Sequence, residues 1–147
     1  YFSIFNADGS FDPYELKGMY NQINDDSLDI IFASRYKKKA GSEDDTIITL
    51  LGNKFFSMVG KIFFKLPISD ILYTYVMGDT QKVLLLNLRQ KDFTLCVELP
   101  IKAKRNSLKI SDIPSNEKSR IGGVKKVNEI RDGFLILLHM IKLFFNK

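Results

Sequence analysis

One cysteine, one histidine and four prolines in 147 residues leave little of the usual chemistry of small secreted or metal-clustered domains. The lone Cys96 excludes a disulfide framework and fits a reducing compartment. The lone His139 lies among apolar residues near the end of the chain, where a core or interfacial role fits better than a catalytic one. No internal repeat or low-complexity tract occurs, so solenoid and disordered classes are set aside. No secretory leader is visible. The apolar run 133–145 falls short of the roughly 20 residues needed to span a bilayer. Acidic residues are scarce between 102 and 126. There Lys102, Lys104, Arg105, Lys109, Lys118, Arg120, Lys125 and Lys126 face only Asp112 and Glu117.

What is present is enough for one domain with a real core. The formal charge is +5. The local cationic excess implies an anionic partner: a phosphate, an anionic membrane surface or nucleic acid, or simply a solvated face. The first dozen residues are the most informative. An apolar run, residues 1–5, stops at Asn6-Ala7-Asp8-Gly9. A short buried strand ending in closely spaced oxygen-bearing side chains is one way an α/β protein presents a metal. The run opens at residue 1 without a methionine, and the expectation is that part of the same domain lies upstream.

The pattern predicts further elements. Asp12-Pro13 reads as a helix start, with Asp12 as N-cap and Glu15 in the first turn. Residues 29–34 read as a second strand, and strand, helix, strand predicts a βαβ unit with a parallel pair. Residues 36–45 form a long polar loop expected to be mobile. Residues 46–64 carry apolar side chains near helical spacing and are followed by Pro67. An extended stretch follows over 68–77, then a short helix from Asp79, a helix over 93–104 interrupted or led by Pro100, a strand over 109–113, a basic glycine-containing loop over 115–126, and a last helix over 127–145.

Four landmarks in this order resemble family 2 glycosyltransferases of the GT-A fold, and in particular the polyprenyl-phosphate sugar transferases similar to dolichol-phosphate mannose synthase. Asn6-Ala7-Asp8-Gly9-Ser10-Phe11-Asp12-Pro13 resembles the family's D-A-D segment and proline-led helix. Phe32-Ala33-Ser34-Arg35 resembles its G-S-R. Ile68-Ser69-Asp70 resembles the aspartate before its acceptor-side segment. Ser119-Arg120-Ile121-Gly122-Gly123-Val124-Lys125-Lys126 resembles its R-x-x-G-x-S-K loop. The family's first aspartate is Asn6 here, its last-loop serine is Val124, and Ile-Leu-Tyr-Thr-Tyr-Val after Asp70 replaces its usual run.

The resemblance implies an α/β, Rossmann-like mixed sheet flanked by helices, with residues 1–126 as the carboxyl-terminal part of the catalytic domain. It implies an inverting enzyme that moves a hexose from a nucleotide-diphosphate sugar to a polyprenyl phosphate, with a divalent ion, Mg2+ or Mn2+, held by Asp8 and Asn6. Arg35, Arg120 and Lys125 are candidates for phosphate and acceptor contacts, since Arg suits bidentate oxyanions. A phosphate acceptor needs no base. A hydroxyl acceptor does, with Asp70 first and Glu98 second. The alternatives are transfer to a sugar or glycan hydroxyl in cell-envelope polysaccharide synthesis, and a degenerate, non-catalytic membrane-associated binding domain, for which Asn6 argues. The chain on its own, without a donor-base half, is expected to be inactive.

Residues 127–147 read as an amphipathic helix that either lies at an anionic membrane surface or packs in the core. The expected location is the cytoplasmic face of the cell membrane, or the cytoplasm, and nucleic acid is not an expected partner. A calcium-loop template is partly met by Asn6, Asp8, Gly9, Asp12 and Glu15, although Ile4 and Pro13 break it.

Overall fold

In the computed structural model, which describes residues 1–123 and 127–146, the elements run β1 (Phe2–Ile4), α1 (Glu15–Asp25), β2 (Ile30–Ser34), β3 (Gly41–Ser42), α2 (Ile47–Phe64), β4 (Val76–Gly78), α3 (Thr80–Leu84), α4 (Leu95–Arg105), β5 (Ile110–Pro114), β6 (Asn116–Glu117) and α5 (Glu129–Phe145). β2 is apolar without alternation, and all five of its residues are buried, as a strand covered on both faces must be. Its side chains still alternate between two cores. Ile30 and Phe32 join the larger core with α2, α4 and α5, while Ile31 and Ala33 join Met19 and Ile23 of α1. The protein is therefore mixed α/β, with a mixed sheet flanked by helices.

The sheet order is β1-β4-β2-β5. β2 pairs parallel with β5, and β4 runs antiparallel to both β1 and β2. This corrects the expected βαβ unit. β1 and β2 share a direction but do not pair, because β4 lies between them. Gly78 permits this insertion. A Cβ there would lie 3.0 Å from a ring carbon of Phe2 and 3.1 Å from the carbonyl oxygen of Asp29, so the strands approach only across a glycine. A separate two-stranded ladder joins β3 to β6 in parallel.

Local signals explain most element ends. Asp12 accepts the Tyr14 N–H at 3.0 Å, so the Asp12-Pro13 turn precedes α1 by a few residues rather than capping it directly. Thr46 and Thr49 form a reciprocal capping box at the start of α2. Asp79 caps α3 by accepting the Lys82 N–H at 3.1 Å. Pro100 lies inside α4, buried with Val97, Glu98, Leu99 and Ile101. α5 contributes Ile136, Met140 and Leu143 to the larger core, so one of its faces packs on the domain.

His139 on α5 has its Nε2 buried with no hydrogen-bond partner among the described residues. Burial pushes its pKa below the ordinary value of 6.5, with Lys142 and Lys102 adding to the effect and Glu98 and Asp92 opposing it. A base whose folded-state pKa lies below its unfolded value supports stability above the unfolded value and loses it as the pH falls. Unfolding free energy from urea titrations should therefore decline as pH drops from about 7 to 5, above the carboxylate range. His139→Leu should flatten that slope, and an unchanged slope would clear His139 of it.

Candidate functional site

The carboxyl ends of β1, β2 and β5 open on one edge of the sheet, and the approach to antiparallel β4 arrives at the same edge. Residues following those strands are thereby gathered from four distant stretches. β1 leads into a tight turn in which Asp8 Oδ1 accepts the Ser10 hydroxyl at 2.6 Å and the Ser10 N–H at 3.1 Å. The Ser10 hydroxyl is the main reason the Asp8 carboxyl is held below its ordinary value; slight burial opposes it, and the Ser10 N–H and Arg120 reinforce it. Gly9 supplies the left-handed backbone of the turn, with φ of 85°. Phe11, fully buried, anchors the turn by stacking on Tyr75 at 4.7 Å and meeting Tyr73 edge-on at 4.9 Å.

The loop after β6 lies directly on this turn. Lys118 N–H donates to the Ser10 carbonyl and Ile121 N–H to the Asp8 carbonyl, both at 2.9 Å. Arg120 Nε is 3.9 Å from Asp8 Oδ2 and donates with Nη2 to Asp44 at 2.9 Å. Asn6, Ala7, Asp8, Gly9, Phe93, Arg120 and Ile121 line an open cleft of about 810 Å³. A smaller cavity of about 160 Å³ shares Asn6, Phe93 and Arg120 with it and reaches inward to Arg35, Asp45 and Glu117. Lys125 lies outside the described residues.

Arg35, at the end of β2, is the centre of a buried polar network. Its Nε donates to Asp70 Oδ2 at 2.8 Å and its Nη2 to Asp70 Oδ1 at 3.1 Å, a bidentate pair, and its own N–H also reaches Asp70 at 3.2 Å. Nη1 donates to Glu117 at 3.1 Å and Asp45 at 3.3 Å. Burial alone would lower the guanidinium's pKa, and the hydrogen bonds and charge of Asp70, with the charge of Glu117, more than reverse it. Tyr73 covers the guanidinium at 4.5 Å. Both groups expected to meet substrate here are thus committed inward: Arg35 to three carboxylates, and Asp70, with no exposed side-chain surface, to Arg35.

Glu98 is committed elsewhere. On α4 its carboxylate accepts the backbone N–H groups of Arg89 and Gln90 at 2.9 to 3.1 Å and pairs with Lys102 at 2.8 Å. Burial raises its pKa, but Lys102 and the two N–H donors outweigh that and hold it below its ordinary value. It fixes the loop before α4. The calcium-loop alternative is corrected by the same kind of evidence. Glu15 accepts from Ser115 Oγ and the Asn116 N–H, and Asp12 pairs with Lys118, so the template's oxygens diverge. Among the described residues no group of three His, Cys, Asp or Glu side chains could hold a metal.

Sequence reasoning missed Asp45 and Asp44, and noted Glu117 and Asp112 only as the two acids in a basic stretch. Both of those are buried anchors. Asp112 accepts from Ser69 N–H at 2.7 Å, Ser69 Oγ at 2.6 Å and Lys37 Nζ at 2.8 Å. The loop 36–45, expected to be mobile, is tied down by Lys37–Asp112, Tyr36–Asp45 and Ser42–Glu117 bonds. No protein-family model matches the chain, and no curated protein matches it.

Removing one partner of the buried pair leaves the other charge uncompensated. Asp70→Asn should lower unfolding free energy by about 3–5 kcal/mol in a urea titration. Arg35→Lys should not restore it, because a point ammonium cannot serve three carboxylates in a fork. A loss no larger than that of a surface substitution would show the network to be incidental.

Proposed function

We propose that this chain carries the diphosphate and acceptor side of a GT-A glycosyltransferase that moves a hexose from a nucleotide-diphosphate sugar to a polyprenyl phosphate. The observation that supports this best is convergence. The described parts of the four segments that resemble the family's motifs, residues 6–13, 32–35, 68–70 and 119–123, lie at the carboxyl edge of one sheet, where ligands of α/β proteins bind. Asp8 and Arg120 lie on the open cleft at that edge.

The choice of acceptor rests on the state of the carboxylates. In the reaction an acceptor oxygen forms a bond to the anomeric carbon as the bond to the donor diphosphate breaks, and the bonding electrons leave on the diphosphate. A hydroxyl acceptor must also surrender a proton. Asp70 and Glu98, the two candidate bases, are both engaged with cations and N–H donors. A phosphate oxygen, already ionised, needs only position and charge compensation, so the phosphate acceptor fits better than a glycan hydroxyl.

Arg120, partly buried on the cleft, would compensate charge on a phosphate there. A divalent ion fits the remaining chemistry in a limited way. Asp8 Oδ2 and the Asn6 amide oxygen are the two protein ligands on offer, and such an ion takes its other oxygens from substrate phosphates and water. When bound it would neutralise the departing diphosphate.

The test uses protein from the full open reading frame with a nucleotide sugar and a short-chain polyprenyl phosphate. Asp8→Ala should cut transfer by on the order of 10²-fold or more while the thermal melt is kept. Asn6→Asp should lower the Mg2+ or Mn2+ concentration needed for half-maximal rate. Wild-type turnover in Asp8→Ala would overturn the site, and an unchanged metal titration in Asn6→Asp would remove Asn6 from the ligands.

A further inference from the structure

Arg35 and Arg120 both line the inner cavity, but their surroundings differ. Arg35 is sealed among carboxylates, and the side chains of its pair with Asp70 are only 8 and 0% exposed. Arg120 and its partner Asp44 are 26 and 29% exposed. A buried pair breaks at a high cost, whereas a pair wetted to this degree is weak and open to exchange. Among the described residues that line the open cleft, Arg120 is the only cation. Asp8 lines that cleft and Asp44 lines the inner cavity, so the Arg120 guanidinium stands on the boundary between the two spaces.

Asp44 holds it from the inner side. Nε and Nη2 both donate to Asp44 Oδ2, at 3.2 and 2.9 Å, while Nε is 3.9 Å from Asp8 Oδ2 on the cleft side. Asp44 is itself fixed from behind. Its N–H donates to Ser42 Oγ at 3.2 Å, Ser42 Oγ donates to Glu117 at 2.6 Å, and Glu117 accepts from the buried Arg35. This chain of bonds keeps Asp44 from following the guanidinium outward.

The backbone that carries Arg120 is pinned on both sides. Ser119 N–H donates to the Glu43 carboxylate at 3.0 Å, and Ile121 N–H donates to the Asp8 carbonyl at 2.9 Å. What is left to move is the long side chain, by rotation about its own bonds.

We infer that Asp44 is a resident counter-ion that competes with a phosphate for Arg120, so that the cleft takes up an oxyanion by ion-pair exchange. The inference rests on the proposed diphosphate role of the cleft. A diphosphate offers several oxygens to the guanidinium where Asp44 offers one, and the swing of one side chain completes the exchange. It leaves the Asp44 carboxylate to the inner cavity, which Thr49 and Asn53 also line. Filling the outer cleft with an anion thereby changes the charge of the inner space.

The test is a calorimetric titration of protein from the full open reading frame with inorganic pyrophosphate and Mg2+. Asp44→Asn should tighten binding on the order of fivefold. Glu43→Gln removes the same charge from the neighbouring residue, which holds Ser119 rather than Arg120, and should change affinity by less than about twofold. In an Arg120→Gln background the gain from Asp44→Asn should vanish, because the competition has lost its object. Hydrogen exchange at the Ser119 and Ile121 amides should not accelerate on adding pyrophosphate. Faster exchange there would mean that the loop lifts and would overturn the side-chain exchange. Weaker binding in Asp44→Asn would make Asp44 a support for Arg120 instead of its competitor, and would overturn the inference. Equal gains from Asp44→Asn and Glu43→Gln would overturn it too. Each of these results leaves the diphosphate site standing, whereas an absence of pyrophosphate binding in both wild type and Asp44→Asn removes the site and the exchange together.

Discussion

The edge of the sheet where the cleft lies is held by one buried guanidinium. Arg35 joins four stretches at one point: its own strand end, the loop before α2 through Asp45, the approach to β4 through Asp70, and β6 through Glu117. Taking a cation out of water costs several kcal/mol, and only near-complete hydrogen bonding makes the burial tolerable. Here Nε and Nη2 are spent on both oxygens of Asp70, and Nη1 on two further carboxylates. Three carboxylates against one guanidinium leave a formal excess of negative charge. Neutral donors spread it: Ser42 Oγ donates to Glu117 at 2.6 Å and Tyr36 to Asp45 at 2.9 Å. Because Glu117 belongs to β6, the network also fixes the loop that follows, and that loop lies on the Asp8 turn.

Much of the architecture was legible in the sequence because its signals are local. Continuous apolar character gave β2, Asp79 marked the start of α3, and apolar spacing ahead of Pro67 marked α2. The pairing of the strands was not legible. β4 is three residues long, and its place between β1 and β2 depends on Gly78 meeting Phe2 and Asp29 in space. The ordered landmarks picked out the segments that lie at that edge, but not what their residues do there. Arg35 and Asp70 are 35 positions apart and satisfy each other, which no window along the chain reveals. The faint signal available was the isolation of Asp112 and Glu117 among cations, since an acid kept in a basic stretch often has a partner to hold.

α2 shows a different limit. Its apolar residues fill two stripes, one carrying Phe56 and Gly60 and the other carrying Leu51, Phe55, Met58 and Ile62. Both obey helical spacing, so periodicity distinguishes helix from strand but not core from surface. Only the packing of α5 and the segment around Ile71 decides which stripe is inside. A helix with apolar residues on opposed faces needs two apolar environments, and the domain supplies only one.

The same accounting bears on how phosphate would be held. The sequence shows a cationic excess, yet the folded cleft is not a bare basic patch. Lys118 pairs with Asp12, Lys37 with Asp112 and Arg120 with Asp44, and Arg35 is surrounded by acids. A diphosphate entering the cleft would therefore meet Asp8 and Asp44 as well as Arg120. Two negatively charged groups approach closely only when a cation is shared between them. Arg120, 3.9 Å from Asp8 and bonded to Asp44, can turn some of its donors to a ligand, but one guanidinium among two carboxylates and a diphosphate leaves charge unmatched. In the proposed reaction a divalent ion arriving with the nucleotide would close that gap, and Asn6, an amide where a carboxylate could stand, would reduce the gap by one charge at the cost of a weaker ligand. Asn6 and Arg120 are then two parts of one charge balance, which is why the metal requirement, rather than the fold, is where the proposed chemistry is most exposed to test.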